Sequence, residues 1–223
     1  MLAVLKKELK SYFLTPVGYI FIGLFLLILS VFFHTTVFSY RSPNFEFLFY
    51  NGATILTFLT PILTMRMFSE ERKNGTEQLL LTSPRGITSI VLGKFFAGVI
   101  MLIITELFTF VYYAILKYFT NPSPVLAVTT LFGFLLLGIC YVSFGMFVSS
   151  LTESQVISAV VTIGVFLLIW FFPTKDQILS LIDKFQMFPE GLIQLSDIIT
   201  YASFTLMFIL LTIITLQRRK SVK

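Results

Sequence analysis

Charged residues are scarce in this chain: 12% of its 223 residues are Asp, Glu, Lys or Arg, about half the share of an ordinary soluble domain. So small a supply cannot cover a water-facing surface, which excludes a soluble globular protein. Cysteine is reduced to Cys140 alone, so an intramolecular disulfide and a cysteine-built metal site are both excluded. With His34 as the single histidine, remote from the polar segment at 66–84, no zinc or Ser/His constellation is evident. A phosphate-wrapping loop is missing as well. Such a loop requires Gly-x4-Gly-Lys-[Ser/Thr], because backbone amides and a lysine must enclose the phosphates. The nearest candidate, Gly86 with Gly93-Lys94-Phe95, has the wrong spacing and a phenylalanine where the hydroxyl belongs. No catalytic residue, metal ligand or resident cofactor is expected. Membrane strands are marked by a period-2 alternation that this chain lacks, which rules out a barrel.

Hydrocarbon is what the chain has in abundance: 57% of residues are hydrophobic and the mean hydropathy is +0.92. The apolar residues fall in blocks of about 20, the length that crosses a ~30 Å hydrocarbon core at 1.5 Å per residue. The expected fold is all-α and polytopic, a single transmembrane domain over residues 1–223. Six spans are predicted, at about 17–39, 48–66, 89–117, 125–150, 154–173 and 198–216. The fourth and fifth are separated only by Ser150-Leu-Thr-Glu-Ser154.

Orientation follows from the basic residues. With both termini inside, the inner side holds Lys6, Lys7, Lys10, Arg66, Arg72, Lys73, Arg85, Lys94, Arg218, Arg219, Lys220 and Lys223. The outer side holds only Arg41, Lys117, Lys175 and Lys184. Both termini are therefore expected in the cytosol of a multi-pass protein of the plasma (cytoplasmic) membrane. The net charge of +5 follows from that topology, and the bilayer rather than nucleic acid is the expected surface partner.

Residues 1–14 place Leu2, Leu5, Leu9, Tyr12 and Phe13 at helical spacing, with Lys6, Lys7 and Lys10 on the other side. This pattern reads as an amphipathic elbow helix in the headgroup layer or as a basic flank that enforces topology; the elbow is preferred. The apolar run after Pro16 is too long, and lacks a small-residue cleavage site, to be a removed signal. Outside, the segment 174–197 carries an apolar stripe of Ile178, Leu181, Ile182 and Phe185, broken by Pro189-Glu-Gly191. Short external helices before the sixth span are expected there.

The polar machinery is concentrated in residues 67–88, between the second and third spans. Ser69 is placed to cap a helix, with Glu70 and Glu71 in its first turn, where carboxylates meet the positive end of the dipole. Gly75-Thr76 interrupts it. Thr76 can cap a second helix containing Glu77 and Leu79, Leu80 and Leu81, which Ser83-Pro84 stops. A solvated linker is the plain alternative, yet three carboxylates, the cations Arg72 and Lys73, and a leucine cluster exceed what a linker needs.

Phe68-Ser-Glu-Glu-Arg-Lys-Asn-Gly-Thr-Glu-Gln-Leu-Leu-Leu-Thr-Ser-Pro84, followed by Ile90-Val-Leu-Gly-Lys-Phe95, resembles the connection between spans two and three in permease subunits of type-2 ABC exporters. Within that class the chain resembles most the gliding-motility-type permeases. Lys6-Lys-Glu-Leu-Lys10, Phe13-Leu-Thr-Pro-Val-Gly-Tyr19 and Gly145-Met-Phe-Val-Ser-Ser-Leu-Thr-Glu153 extend the likeness over nearly the whole chain. The resemblance implies a bacterial membrane protein whose coupling helix sits in a groove of a separate ATPase subunit. Ser69, Glu70, Glu71, Arg72, Lys73, Gly75, Thr76 and Glu77 would form the docking element. It further implies two cytosolic ATPase subunits, which hold ATP and magnesium, and a second permease subunit, identical or related.

Inside the membrane, Glu106 is the one acidic residue deep within a predicted span. It reads either as a contact to substrate or a proton, or as a buried hydrogen bond between helices. In the second span Thr54, Thr57, Thr60 and Thr64 fall within an arc of roughly 120°, with Asn51 at its edge. Pro61 frees the carbonyl of Thr57. This stripe reads equally as the lining of a translocation path and as hydroxyls bonded to their own backbone. The leading function is the permease subunit of an ATP-driven exporter, and the alternative is an ATP-independent secondary transporter or structural membrane partner. An intramembrane protease is disfavoured, because in Glu70-Glu-Arg-Lys-Asn-Gly75 the required arginine position is glycine and the lone histidine, His34, is expected on the opposite side of the membrane.

Overall fold

A computed structural model describes residues 1–39, 45–78, 86–119, 122–171 and 181–221. Among these residues the structure is helical, without a strand. The helices are α1 Leu2–Leu14, α2 Pro16–His34, α3 Phe45–Thr64, α4 Ser69–Lys73, α5 Ile87–Phe119, α6 Pro124–Leu151, α7 Gln155–Phe171, α8 Leu181–Phe185 and α9 Leu195–Ser221. A π-helical turn, Thr35–Ser39, prolongs α2. Five helices are long and apolar enough to cross a membrane, and the stretch Gln155–Trp170 of α7 is a shorter apolar helix.

Packing follows from where small residues let helices approach. A side chain at Gly145 of α6 would collide with Thr64 of α3, and one at Gly93 of α5 would come within 2.9 Å of Val4 of α1. Close backbone approach at such positions is how apolar helices associate where no hydrophobic force separates them from lipid. Helices α3, α5 and α6 form the centre: 67%, 61% and 56% of their apolar windows are buried, against 22% for α2 and 17% for α9. Phe21, Phe25 and Leu29 turn the inner face of α2 onto this centre, leaving Ile20, Leu24, Leu27 and Val31 on its outer face.

The first fourteen residues pack on the foot of the bundle. Tyr12 is buried and its hydroxyl donates to the Leu63 carbonyl at 3.2 Å. Burial, with Glu8 beside it, pushes the phenol far above its ordinary pKa, so the hydroxyl keeps its proton and remains a donor. At the opposite end α8 and the following turn pack inward rather than lying on the surface. Phe185 and Phe188 are fully buried, the Tyr201 hydroxyl donates to the Leu181 carbonyl at 2.6 Å, and Lys184 pairs with Asp197 at 3.0 Å. Of the expected external stripe, Ile178 lies outside the described residues.

Candidate functional site

The polar connection after α3 is built into the foot of the bundle by bonds from four other elements. The turn between α3 and α4 is held by Ser149 near the end of α6. Its hydroxyl accepts from the backbone N–H of Phe68 at 3.1 Å and of Ser69 at 3.2 Å, and donates to the Met65 carbonyl at 3.1 Å. One donor and two acceptor sites are thereby satisfied. Ser69 was expected to cap α4, but Phe68 occupies the capping position and the Ser69 hydroxyl turns back to the Met65 carbonyl. The reason is that α4 follows the α3 turn directly, so its first amides meet Ser149 rather than a local side chain.

Ion pairs tie the segment to its neighbours. Arg66 holds Glu70 through two bonds of 2.7 and 3.1 Å and reaches Thr15 at 3.2 Å. Lys94, on the first turns of α5, is 2% exposed. Its ammonium lies 3.0 Å from Glu8 of α1 and 3.0 Å from Glu71 of α4, and 5.2 Å from the centre of the Phe68 ring. Lys7 adds a 3.5 Å contact to Glu71. A buried ammonium is tolerated only when so partnered. Arg72 bonds Glu153, in the link between α6 and α7, at 2.8 Å and the Leu151 carbonyl at 3.0 Å. Glu77 accepts from Arg219 of α9 at 3.1 Å.

The expected docking element is therefore two-sided. Glu70, Glu71, Arg72 and Glu77 are engaged in ion pairs within the chain, while the second carboxylate oxygen of Glu71 is buried with no hydrogen-bond partner among the described residues. Lys73, Asn74, Gly75 and Thr76 are exposed and form the tip. Gly75 ends α4 in the left-handed region, at φ 69°, with its N–H on the Arg72 carbonyl at 3.1 Å, the usual C-terminal use of glycine. Thr76 bonds back to the Glu71 carbonyl at 3.2 Å rather than forward. Glu77 and Gln78 begin a further helical turn; Leu79, Leu80, Leu81 and Ser83-Pro84 lie outside the described residues. Glu8, Lys94, Ser149, Glu153 and Arg219 belong to this site although sequence reasoning assigned them no part in it. Pairing across 86 and 142 residues of chain leaves no local signal.

The threonine stripe of α3 divides. Thr57, Thr60 and Thr64 are fully buried, and their hydroxyls donate to the carbonyls four residues back at 3.4, 2.6 and 3.1 Å. Asn51 and Thr54 instead line a cavity of about 520 Å³ between α2, α3, α7 and α8, walled otherwise by groups such as Phe32, Tyr50, Phe58 and Trp170. Glu106 belongs to neither set and lies on the α5–α6 side. Among the described residues no group of His, Cys, Asp or Glu is arranged to hold a metal ion.

Membrane-length apolar helices carrying an ion-paired polar segment at their foot are the build of an integral membrane protein. The family model described as ABC-2 family transporter protein matches residues 42–220, and the chain belongs to that family, the membrane component of an ABC transporter. No curated protein matches the sequence.

Proposed function

We propose that this chain is the translocating subunit of an ATP-driven exporter of the gliding-motility type, docking a separate ATPase through residues 69–77. One observation carries the reading: the exposed tip Lys73–Thr76 is joined by ion pairs, through Glu71, Arg72 and Glu77, to α1, α5, α9 and the α6–α7 link. Force applied at the tip is thereby delivered to helices that also wall the membrane interior. Two ATPase subunits, holding ATP and magnesium, act beneath two permease copies or a pair of relatives. Nucleotide contacts made only in the closed ATPase pair supply the differential energy.

Six spans are inferred, with α7 as the fifth. Helix α1 and the end of α9 both lie at the foot of the bundle, where α1 contacts α5 and Arg219 contacts Glu77, and an even number of crossings accounts for that. The cavity beside Asn51 and Thr54 belongs to the translocation path, and its apolar walls suit a hydrophobic or amphiphilic cargo. The foot faces the cytosol of a bacterial plasma membrane, since it gathers Lys6, Lys7, Lys10, Arg72, Lys73 and Arg218.

The test is recovery of the ATPase with the affinity-purified permease. Lys73→Glu combined with Thr76→Glu is expected to leave membrane insertion intact and to reduce ATPase recovery at least tenfold, a loss of about 1.4 kcal/mol or more. Undiminished recovery removes the docking role from the tip. Substrate movement by the reconstituted permease without any nucleotide would instead establish a secondary transporter.

A further inference from the structure

Glu106 stands apart from both the ion-paired foot and the cavity on α3. It lies near the middle of α5 and is 9% exposed. With Leu107, Phe110, Leu131, Phe132 and Leu135 it walls a groove of about 310 Å³ between α5 and α6. Its Oε1 is buried and has no hydrogen-bond partner among the described residues. Ionised at mid-membrane, its carboxyl costs on the order of 2.5–3.5 kcal/mol on insertion scales, a cost that a cation bound beside it would offset.

A second copy of the chain has no basic residue to offer at that depth. Its sixteen basic residues lie at the ends of apolar runs or between them. The nearest on α5, Lys94 and Lys117, are roughly 16–18 Å away along the helix axis at 1.5 Å per residue. Phe110 and Phe132 are the aromatic residues of the lining, a side-chain type that attracts cations, while the other walls offer only hydrocarbon. At about 310 Å³ the groove is near the lower bound of small-ligand sites, about 300 Å³.

We infer that this groove binds a lipophilic cation, an alkylammonium whose head pairs with Glu106 beside Phe110 and Phe132 and whose chain lies along Leu107, Leu131 and Leu135. This binding is independent of ATPase docking.

Full-length protein in nanodiscs of zwitterionic lipid, titrated with radiolabelled dodecylammonium and with dodecanol as control, tests it. The amine is expected to be retained saturably, above protein-free nanodiscs. Glu106→Gln is expected to weaken that retention about tenfold, Glu106→Asp to keep most of it, and dodecanol to distinguish none of the three. Equal amine retention by wild type and Glu106→Gln overturns the inference. Should the glutamine variant fail to insert, modification of wild-type Glu106 by dicyclohexylcarbodiimide decides: the quaternary dodecyltrimethylammonium, which cannot couple to an activated carboxyl, must slow it, and dodecanol must not. No protection overturns the inference. So does a cross-link from Val128→Cys in native membranes to a basic segment of another polypeptide, which would give the groove to a protein partner.

Discussion

Two lysines and two glutamates meet where α1, α4 and α5 converge, and Lys94 holds the centre. Glu8 and Glu71 both lie 3.0 Å from its ammonium, while Lys7, with 67% of its side chain exposed, touches the same pair from outside at 4.0 and 3.5 Å. The group is neutral as a whole, which is what permits its burial. Lys94→Met removes the buried cation and leaves the two largely covered carboxylates facing each other. A loss of about 3–5 kcal/mol is expected, the range for breaking a buried pair. Lys7→Ala is expected to cost at most about 1 kcal/mol, because solvent screens an exposed partner. Thermal unfolding in detergent, followed as loss of monodispersity, checks both, and Glu71→Gln added to Lys94→Met is expected to restore part of the midpoint. Equal midpoints for the two lysine variants would remove the central role assigned to Lys94. In the sequence Lys94 reads as one more inner-side cation beside a failed phosphate loop, since its partners lie on two other elements.

Helix α6 sets the spacing of its neighbours through Gly145, against which Thr64 of α3 packs directly. Gly145→Val forces these helices apart, and an overpacking cost of about 1–3 kcal/mol is expected. Gly164 on α7 has nothing within 4 Å of the place where a Cβ would stand. Gly164→Ala is expected to be neutral or to gain up to about 1 kcal/mol from helix propensity. The same unfolding assay separates the two, and a Gly145 variant as stable as the Gly164 variant would deny the contact. The helices themselves were legible because an apolar run long enough to cross a bilayer leaves few other structures open. The break at Gly75 was legible too, because it needs only a residue free to adopt positive φ. The division of the α3 stripe was not. Thr54 and Thr57 look alike in sequence, and which of them meets a cavity depends on where α2 and α7 pack. The cap of α4 was hidden for a similar reason: Ser149 comes from about 80 residues away.

At the scale of the whole molecule, the foot and the far end are chemically unlike, and α7 decides how they relate to a membrane. The foot collects α1, α4, the α6–α7 link and the end of α9 through ion pairs. The far end collects α8, the start of α9 and the cavity wall from Trp170. Helix α7 leaves the foot beside Glu153 and brings Trp170 to the far end, so its 17 residues span about 25 Å at 1.5 Å per residue. That is short for a ~30 Å core unless the bilayer thins locally or the neighbouring residues complete the crossing. If α7 crosses, Thr76 at the foot and Glu190 beyond α8 lie on opposite sides of the membrane. Thr76→Cys and Glu190→Cys, made singly, report this with a membrane-impermeant maleimide, because Cys140 is 1% exposed and stays silent. Glu190→Cys is expected to react in intact cells and Thr76→Cys only after permeabilisation. Reaction of both from the same side would mean that α7 turns back within the membrane, and the even count of crossings would then need another helix to supply it.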